Sequence, residues 1–331
     1  MTDSPYIAIL AWIGGVCSFT ISSLQAAEPE KRHVDFRAEE HTQVAPVTGN
    51  AAFLSTMLVP KISYFEVAGQ KQNGKFINAS QSDDSFAYRI SAGSYYKLNK
   101  RIMLYGAIDY TSFTGQNMSG SAFIQSGTAP FDIVEADDAN KGRKRLDSYH
   151  LQGKLGYRAT DRFRLGAGID YTAANYAKHK DLRHKNTRLD FEFSPGVMYH
   201  AGRFAAGAVY IVGTNSEKLE AEEIGSTPES YQAFFDRGLG YGSLQLWESS
   251  DMHLTTSGVT GFPVRENTQG AGVQLQYGPV YAAAAYRNRQ GETGERGMIW
   301  HEFGTHQVTA NAALSLGNLQ RRHFVRLHLD W

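Results

Sequence analysis

The side chains that could support chemistry fall into a few groups, and spacing removes most of them from a catalytic role. His301, Glu302 and His306 have the residue types of a zinc-protease motif, but the histidines are five positions apart where the motif needs four. On a helix this separation breaks the shared face, and on a strand it sends the rings to opposite sides. His179 with His184, and His323 with His328, repeat the spacing and its outcome. Asp83 with Asp84, and Asp251 with His253, have the types with which a barrel protease activates water. They stand in polar stretches where solvated loop charge is the simpler account. Gly238, Gly240 and Gly242 follow no strand, so they read as a tight or flexible loop and not as a phosphate cradle. Cys17, the single cysteine, falls in an apolar leader, which leaves the mature chain without disulfide or thiolate. No catalytic residue, metal or cofactor is expected, and the chain reads as non-enzymatic.

The remaining polar constellation is Lys154, Arg158, Arg164, Arg188 and Arg203 with Asp109, Asp170, Asp190 and Glu192. Strand alternation places these on one face, read as the lumen of a barrel. Their mixed signs suit cross-strand ion pairs that brace a narrow or plugged lumen. Solute selectivity stays open beside it, although a selective channel tends to gather one sign into rings.

Strands must position these residues, and strand periodicity recurs from about Met57 onward. Tyr149, Leu151, Gly153, Leu155 and Tyr157 alternate with His150, Gln152, Lys154, Gly156 and Arg158. Phe163, Leu165, Ala167, Ile169 and Tyr171 oppose Arg164, Asp170 and Thr172, and Leu189, Phe191, Phe193, Val197 and Tyr199 oppose Arg188, Asp190, Glu192 and His200. Ile102, Leu104, Ile108 and Tyr110 likewise oppose Tyr105, Asp109 and Thr111. Aromatic ends around an aliphatic middle form a girdle suited to lipid; the outer face of a soluble sandwich, the rival all-β reading, has no reason to carry one.

Connections alternate in length. Short ones fall at Leu98–Arg101, Ala159–Arg162, Ala201–Arg203, Gly278–Pro279 and Gly317–Gln320, and long polar ones near 70–85, 115–146, 178–187, 215–270 and 289–298. Tight periplasmic turns and long outward loops produce this pattern. The predicted strands are 57–69, 85–97, 102–114, 146–158, 163–177, 188–200, 204–214, 267–277, 280–288, 299–316 and 321–331. Single-chain bacterial barrels have even strand numbers, so this odd set reads as an incomplete copy of a longer barrel. An extra hairpin at Leu244–Thr256 would not change the parity. The expected fold is an all-β, antiparallel transmembrane β-barrel of about 11–14 strands in the chain or its full-length form, preceded by a signal peptide.

Composition agrees. Gly at 33 and Tyr and Phe at 18 each suit strands and tight turns, and no run of eighteen apolar residues follows the first thirty, which excludes helical spans. With 33 basic and 33 acidic side chains interspersed there is no basic field for nucleic acid. Residues 1–26 read as a signal peptide, with an apolar stretch from Tyr6 to Ile21 and small residues Ala26 and Ala27 at the cleavage point. Residues 27–50 read as a periplasmic or plug-like segment, and 51–331 as the barrel.

The chain resembles a family of Bacteroidota outer-membrane β-barrel proteins of unknown function. The resemblance rests on Gly49, Asn50, Ala51 and Ala52 before the first strand, on the loop Lys180, Asp181, Leu182, Arg183, His184, Lys185, Asn186 and Thr187, and on Phe235, Asp236, Arg237, Gly238, Leu239, Gly240, Tyr241 and Gly242. Leu182 and His184 replace expected prolines. Members are usually longer, which implies a C-terminally truncated copy, and the family transfers no catalytic residue. The expected place is the cell outer membrane, in a pore-like or accessory part of nutrient uptake or a surface structural role. Expected partners are outer-membrane lipid and lipopolysaccharide, the barrel assembly machinery and a TonB-type receptor encoded nearby. A barrel hydrolase and a soluble secreted β protein are the alternatives.

Overall fold

The computed structural model describes residues 36, 40, 49–78, 81–124, 132–135, 141–180, 183–222, 230–236, 241–248, 264–295, 298–317 and 322–331. Residues 1–26, expected to be a leader, and most of 27–48 lie outside the described residues, as do Asp251 and His253.

Eleven strands form one antiparallel sheet: β1 (Lys61–Asn73), β2 (Asp84–Lys97), β3 (Ile102–Met118), β6 (Gly142–Arg158), β7 (Phe163–Lys178), β8 (Arg183–Ala201), β9 (Phe204–Glu222), β12 (Val264–Tyr277), β13 (Val280–Glu295), β14 (Met298–Gly317) and β15 (Arg322–Asp330). Each pairs with the next of the set. Two-residue turns at Gly202–Arg203 and Gly278–Pro279 reverse the chain where the glycines take φ of 62° and 54°. At the other ends the β1–β2, β3–β6 and β9–β12 connections are long, and the last two contribute a separate four-stranded sheet; β7–β8 and β13–β14 are joined by short connections, not the long ones expected near 178–187 and 289–298, because these strands run on past the belt. It orders β11 (Gly242–Glu248), β10 (Ser230–Asp236), β5 (Asp132–Glu135) and β4 (Gly120–Ser121).

The register aligns like with like. Leu104 faces Leu155, which faces Ala167, and Leu165 faces Val197. Because the side-chain period is two, this puts the aliphatic set on one face throughout. Leu155, Ile169, Val197, Val273 and Leu327 stay 42 to 67% exposed on that outer face. Aromatics bound the belt. On one rim Tyr88, Tyr110 and Tyr149 pack in a row with centroids 5.7 and 4.8 Å apart, and on the other Phe163 packs on Tyr199 at 5.3 Å. Tyr110 Oη donates to Asp147 at 2.9 Å, so the polar tip points away from the belt. The wall has the outward apolar band and aromatic girdles of a transmembrane barrel.

Curvature follows from what lies inside. Asn50 and the 3₁₀ turn Ala51–Thr56 touch β3, β6, β7 and β8, reach β9 and β12 through Asn50, and reach β13 through Phe53 packed on Tyr281. Laid flat, these neighbours would spread over roughly 29 Å at about 4.8 Å per strand, whereas six residues of 3₁₀ turn span about 12 Å. The sheet therefore curls round the turn. Its buried core is this inner filling: Phe36, Ala51, Ala52, Phe53, Leu54 and Met57 against Tyr95, Met103, Met198, Ala205 and Tyr281 of the wall.

Three further expectations are corrected. The wall begins at Lys61 and not Met57, because Met57 is buried with the inner turn and Pro60 lacks the N–H to start a ladder. The hairpin of the long β9–β12 connection is β10–β11, earlier than 244–256, and it pairs with β5 of the β3–β6 connection in a sheet separate from the wall. Arg203 is not on a strand: it is an exposed turn residue whose carbonyl accepts from Gly278 N at 2.9 Å.

Near the middle of the belt, Leu155→Arg should lower the unfolding free energy by about 2–4 kcal/mol, as charge placed on a lipid-facing strand does. Lys154→Leu, one position along and inward, should cost less than half of that. Urea midpoints measured in detergent or vesicles check the pair; equal losses would contradict the face assignment.

Candidate functional site

The site is the lumen and what fills it. Asn50 is 1% exposed, and its Nδ2 lies 3.0 Å from each of Val197 O on β8, Ala208 O on β9 and Gln274 Oε1 on β12. Its Oδ1 accepts from Ala52 N at 3.0 Å, which caps the 3₁₀ turn. Ser55 and Thr56 donate their hydroxyls back to Ala52 O and Phe53 O at 2.8 and 2.6 Å. The turn therefore satisfies its own polar groups and offers an apolar surface to the wall.

Glycine lets it come that close. Gly156, Gly166, Gly196 and Gly207 lie on four adjacent strands, with Gly156 opposite Gly166 and Gly166 opposite Gly196. A Cβ at Gly166 would stand 2.0 Å from Ala52 N, one at Gly196 2.2 Å from Asn50 Oδ1, and one at Gly207 2.6 Å from the Phe53 ring. These residues make a groove in the wall, and main chain lies in it.

The charged residues read from the sequence meet mostly partners that the sequence reading did not name. Asp109 accepts from Arg89 and Ser91 of β2. Asp170 lies 2.9 Å from His150 Nε2 and accepts from Gln152 at 2.7 Å. Glu192 of β8 is 3.4 Å from Arg287 of β13, an ion pair between strands that are not neighbours in the sheet, made as a chord across the curve. Lys154 Nζ sits 5.7 Å from the Tyr105 ring centre, and Arg158, at the rim, pairs with Asp161 of the turn at 2.7 Å. Arg164, 8% exposed, donates to Ser55 Oγ of the inner turn at 3.0 Å. Within the set itself only Arg188 and Asp190 bond one another, at 2.5 Å. Beside Gly49 a cavity of about 230 Å³ remains, lined by Glu192, Ser194, Gln274, Arg287, Thr309 and Asn311 among others.

Of the histidine pairs, His306 bonds Tyr286 at 2.7 Å and His301 lies 3.3 Å from the buried Thr293. Asp83 accepts from Asn117, and Asp84 pairs with Lys71.

A second polar cluster, absent from the sequence reading, lies on the inner face where β6 to β9 meet the long connections. Glu135 of β5 sits between Lys144 and Lys178, at 2.5 and 2.6 Å, and those ammonium side chains are 0% and 2% exposed. Asn186 donates to Ala122 O and to Glu217 Oε1, both at 2.7 Å, and Glu217 Oε1 also accepts from Ile124 N at 2.7 Å. Burial pushes the Glu135 carboxyl up, but Lys144, with His184 and Lys178, more than offsets this and holds it below the ordinary carboxylate range. The signal that could have found the cluster was Lys144 and Lys178 at polar-face positions at the far ends of facing strands.

Two substitutions should test the groove. Asn50→Ala removes a donor shared by buried acceptors and should cost about 1–3 kcal/mol. Gly166→Val puts side chain where Ala52 stands and should drive the turn out of the wall. Limited proteolysis then cuts around residues 50–57 in Gly166→Val and spares them in the parent; an unchanged digestion pattern would show that the turn is not seated there.

The chain is similar to the siderophore receptor PiuA from Acinetobacter baumannii, at 8% identity and a TM-score of 0.40 over 77% of this chain and 43% of that one. BauA, the ferric preacinetobactin receptor of the same organism, matches at 8% identity and a TM-score of 0.40 over 79% and 41%. The toluene transporter TodX of Pseudomonas putida matches at 11% identity and a TM-score of 0.25 over 82% and 79%. The chain spans about two fifths of the length of the two receptors, 43% and 41%. A search of the curated proteins finds no match. The model of a family of unknown function, DUF6850, matches residues 51–331, from the inner turn to the last strand, and the chain belongs to that family.

Proposed function

We propose that this chain is an outer-membrane barrel whose lumen is occluded at rest by its own Asn50–Thr56 segment, and that it acts as an accessory or gated component of nutrient uptake. The observation that carries the reading is the inner turn lying main chain to main chain in the glycine groove. Support for the membrane comes from the outward belt and the aromatic rims. An eleven-stranded wall stands between small barrels that side chains alone can fill and large ones that hold open water; here a segment of chain does the filling. The proposed role is non-enzymatic, because the charged groups brought together inside are engaged in holding wall and turn. Phospholipid and lipopolysaccharide are the proposed surroundings, the barrel assembly machinery the route of insertion, and a TonB-type receptor the proposed partner for solute delivery.

Two measurements test this. A membrane-impermeant maleimide applied to intact cells should label Gly127→Cys and not Asp161→Cys; the reverse would invert the orientation. In planar bilayers the parent should conduct almost nothing, while Gly166→Val, with the turn displaced, should conduct. A freely conducting parent would refute the plug.

A further inference from the structure

Outward of the belt, the lumen is narrowed a second time by chemistry of a different kind. The described parts of the β3–β6 connection, Ser119–Ile124 and Asp132–Glu135, lie against the inner face of β6 to β9. Ala122, Phe123 and Ile133 are 4, 4 and 2% exposed. Four wall side chains that hold them share the inward-facing register: Lys144 and Lys178, which are cross-strand partners, and Asn186 and Glu217 on the next two strands. Lys144 also donates to Ser121 O at 3.1 Å. Thus the connection is tied twice, by one carboxylate between two buried ammoniums and by an amide and a carboxylate that take main-chain groups of the loop. A loop that merely covered the rim would keep its charges in water; burying two lysines is costly unless the site is built to hold them.

We infer that Ser119–Ile124 and Asp132–Glu135, held against the inner face, form the size filter of the outer mouth, and that Glu135 is the residue that positions them. The filter limits access to the cavity beside Gly49, whose volume of about 230 Å³ is below the usual range for drug-sized ligands and suits a small polar solute. The inference rests on the barrel reading above but not on the plug, since it concerns entry from the opposite end.

The test reads entry directly. In a Cys17→Ser background, Ser194→Cys places one thiol on the cavity wall, and intact cells are treated with a small impermeant maleimide or with the same group on a bulky polymer. In the parent the small reagent should react and the bulky one should not. Glu135→Gln leaves two buried ammoniums without their shared anion, and the bulky reagent should then react at least tenfold faster. Asn186→Ala, which cuts the second tie, should shift the rate in the same direction, and heat-modifiable migration on a gel shows that each barrel remains folded. Bulky labelling of Ser194→Cys in the parent as fast as of Lys75→Cys in the exposed β1–β2 connection, or no gain in either variant, would overturn the filter. A conducting parent in bilayers would instead refute the plug and leave this result standing.

Discussion

Close approach of one stretch of main chain to another is the constraint on which the rest of this structure depends. Backbone can lie against a β wall only where the wall carries no Cβ, and Gly156, Gly166, Gly196 and Gly207 provide a strip of such positions across four strands. The strip lets Asn50 reach carbonyls of β8 and β9 and the side chain of β12 at once. Contacts on so many strands from one short turn require the sheet to wrap it. The same seat solves a polar problem, since Asn50 and the hydroxyls of Ser55 and Thr56 leave the buried turn with its hydrogen bonds made.

Inside and outside exchange their usual roles in this fold. The apolar belt faces out, so a water-excluded core must form on the inner side, where the turn packs against Tyr95, Met103, Met198 and Tyr281. Without the turn the inner wall would be a polar surface round a gap. This explains why Arg164, on the charged face, gives its hydrogen bond to Ser55 of the turn. It also explains the chord between Glu192 and Arg287: once the wall is curved, side chains of strands three places apart in the sheet are nearer than the strand path suggests.

The two constrictions differ in how they hold. The inner turn is held by shape and by neutral hydrogen bonds, which lose little until the geometry is broken. The outer loop is held by buried charge, where removal of one partner strands the others. Such a cluster contributes position more than net stability, and position is what a loop inside a mouth needs. Exposed pairs on the wall, such as Arg145 with Asp147, contribute less, because water screens them.

Period-two alternation, a local property, determined by itself the antiparallel architecture, the faces of β3, β6, β7 and β8, the places of the tight turns and the eleven wall strands. Boundaries erred where a strand continues past the belt: β9 runs to Glu222 and β12 starts at Val264, in a stretch whose polar residues read as loop. Alternation gives no parity to a turn residue such as Arg203. It could not say which charges would meet. Asn50 finds Gln274 across 224 positions, and Glu192 finds Arg287 across the lumen. The glycines were visible as residues but not as a groove, since a groove exists only when four strands are in register and a fifth piece of chain lies in it. Likewise Glu135 is an ordinary loop acid in the sequence, and only the return of its loop to the inner wall sets it between Lys144 and Lys178. Local periodicity assigns each residue a side of the sheet; curvature of the whole sheet decides what stands opposite, and no single strand contains it.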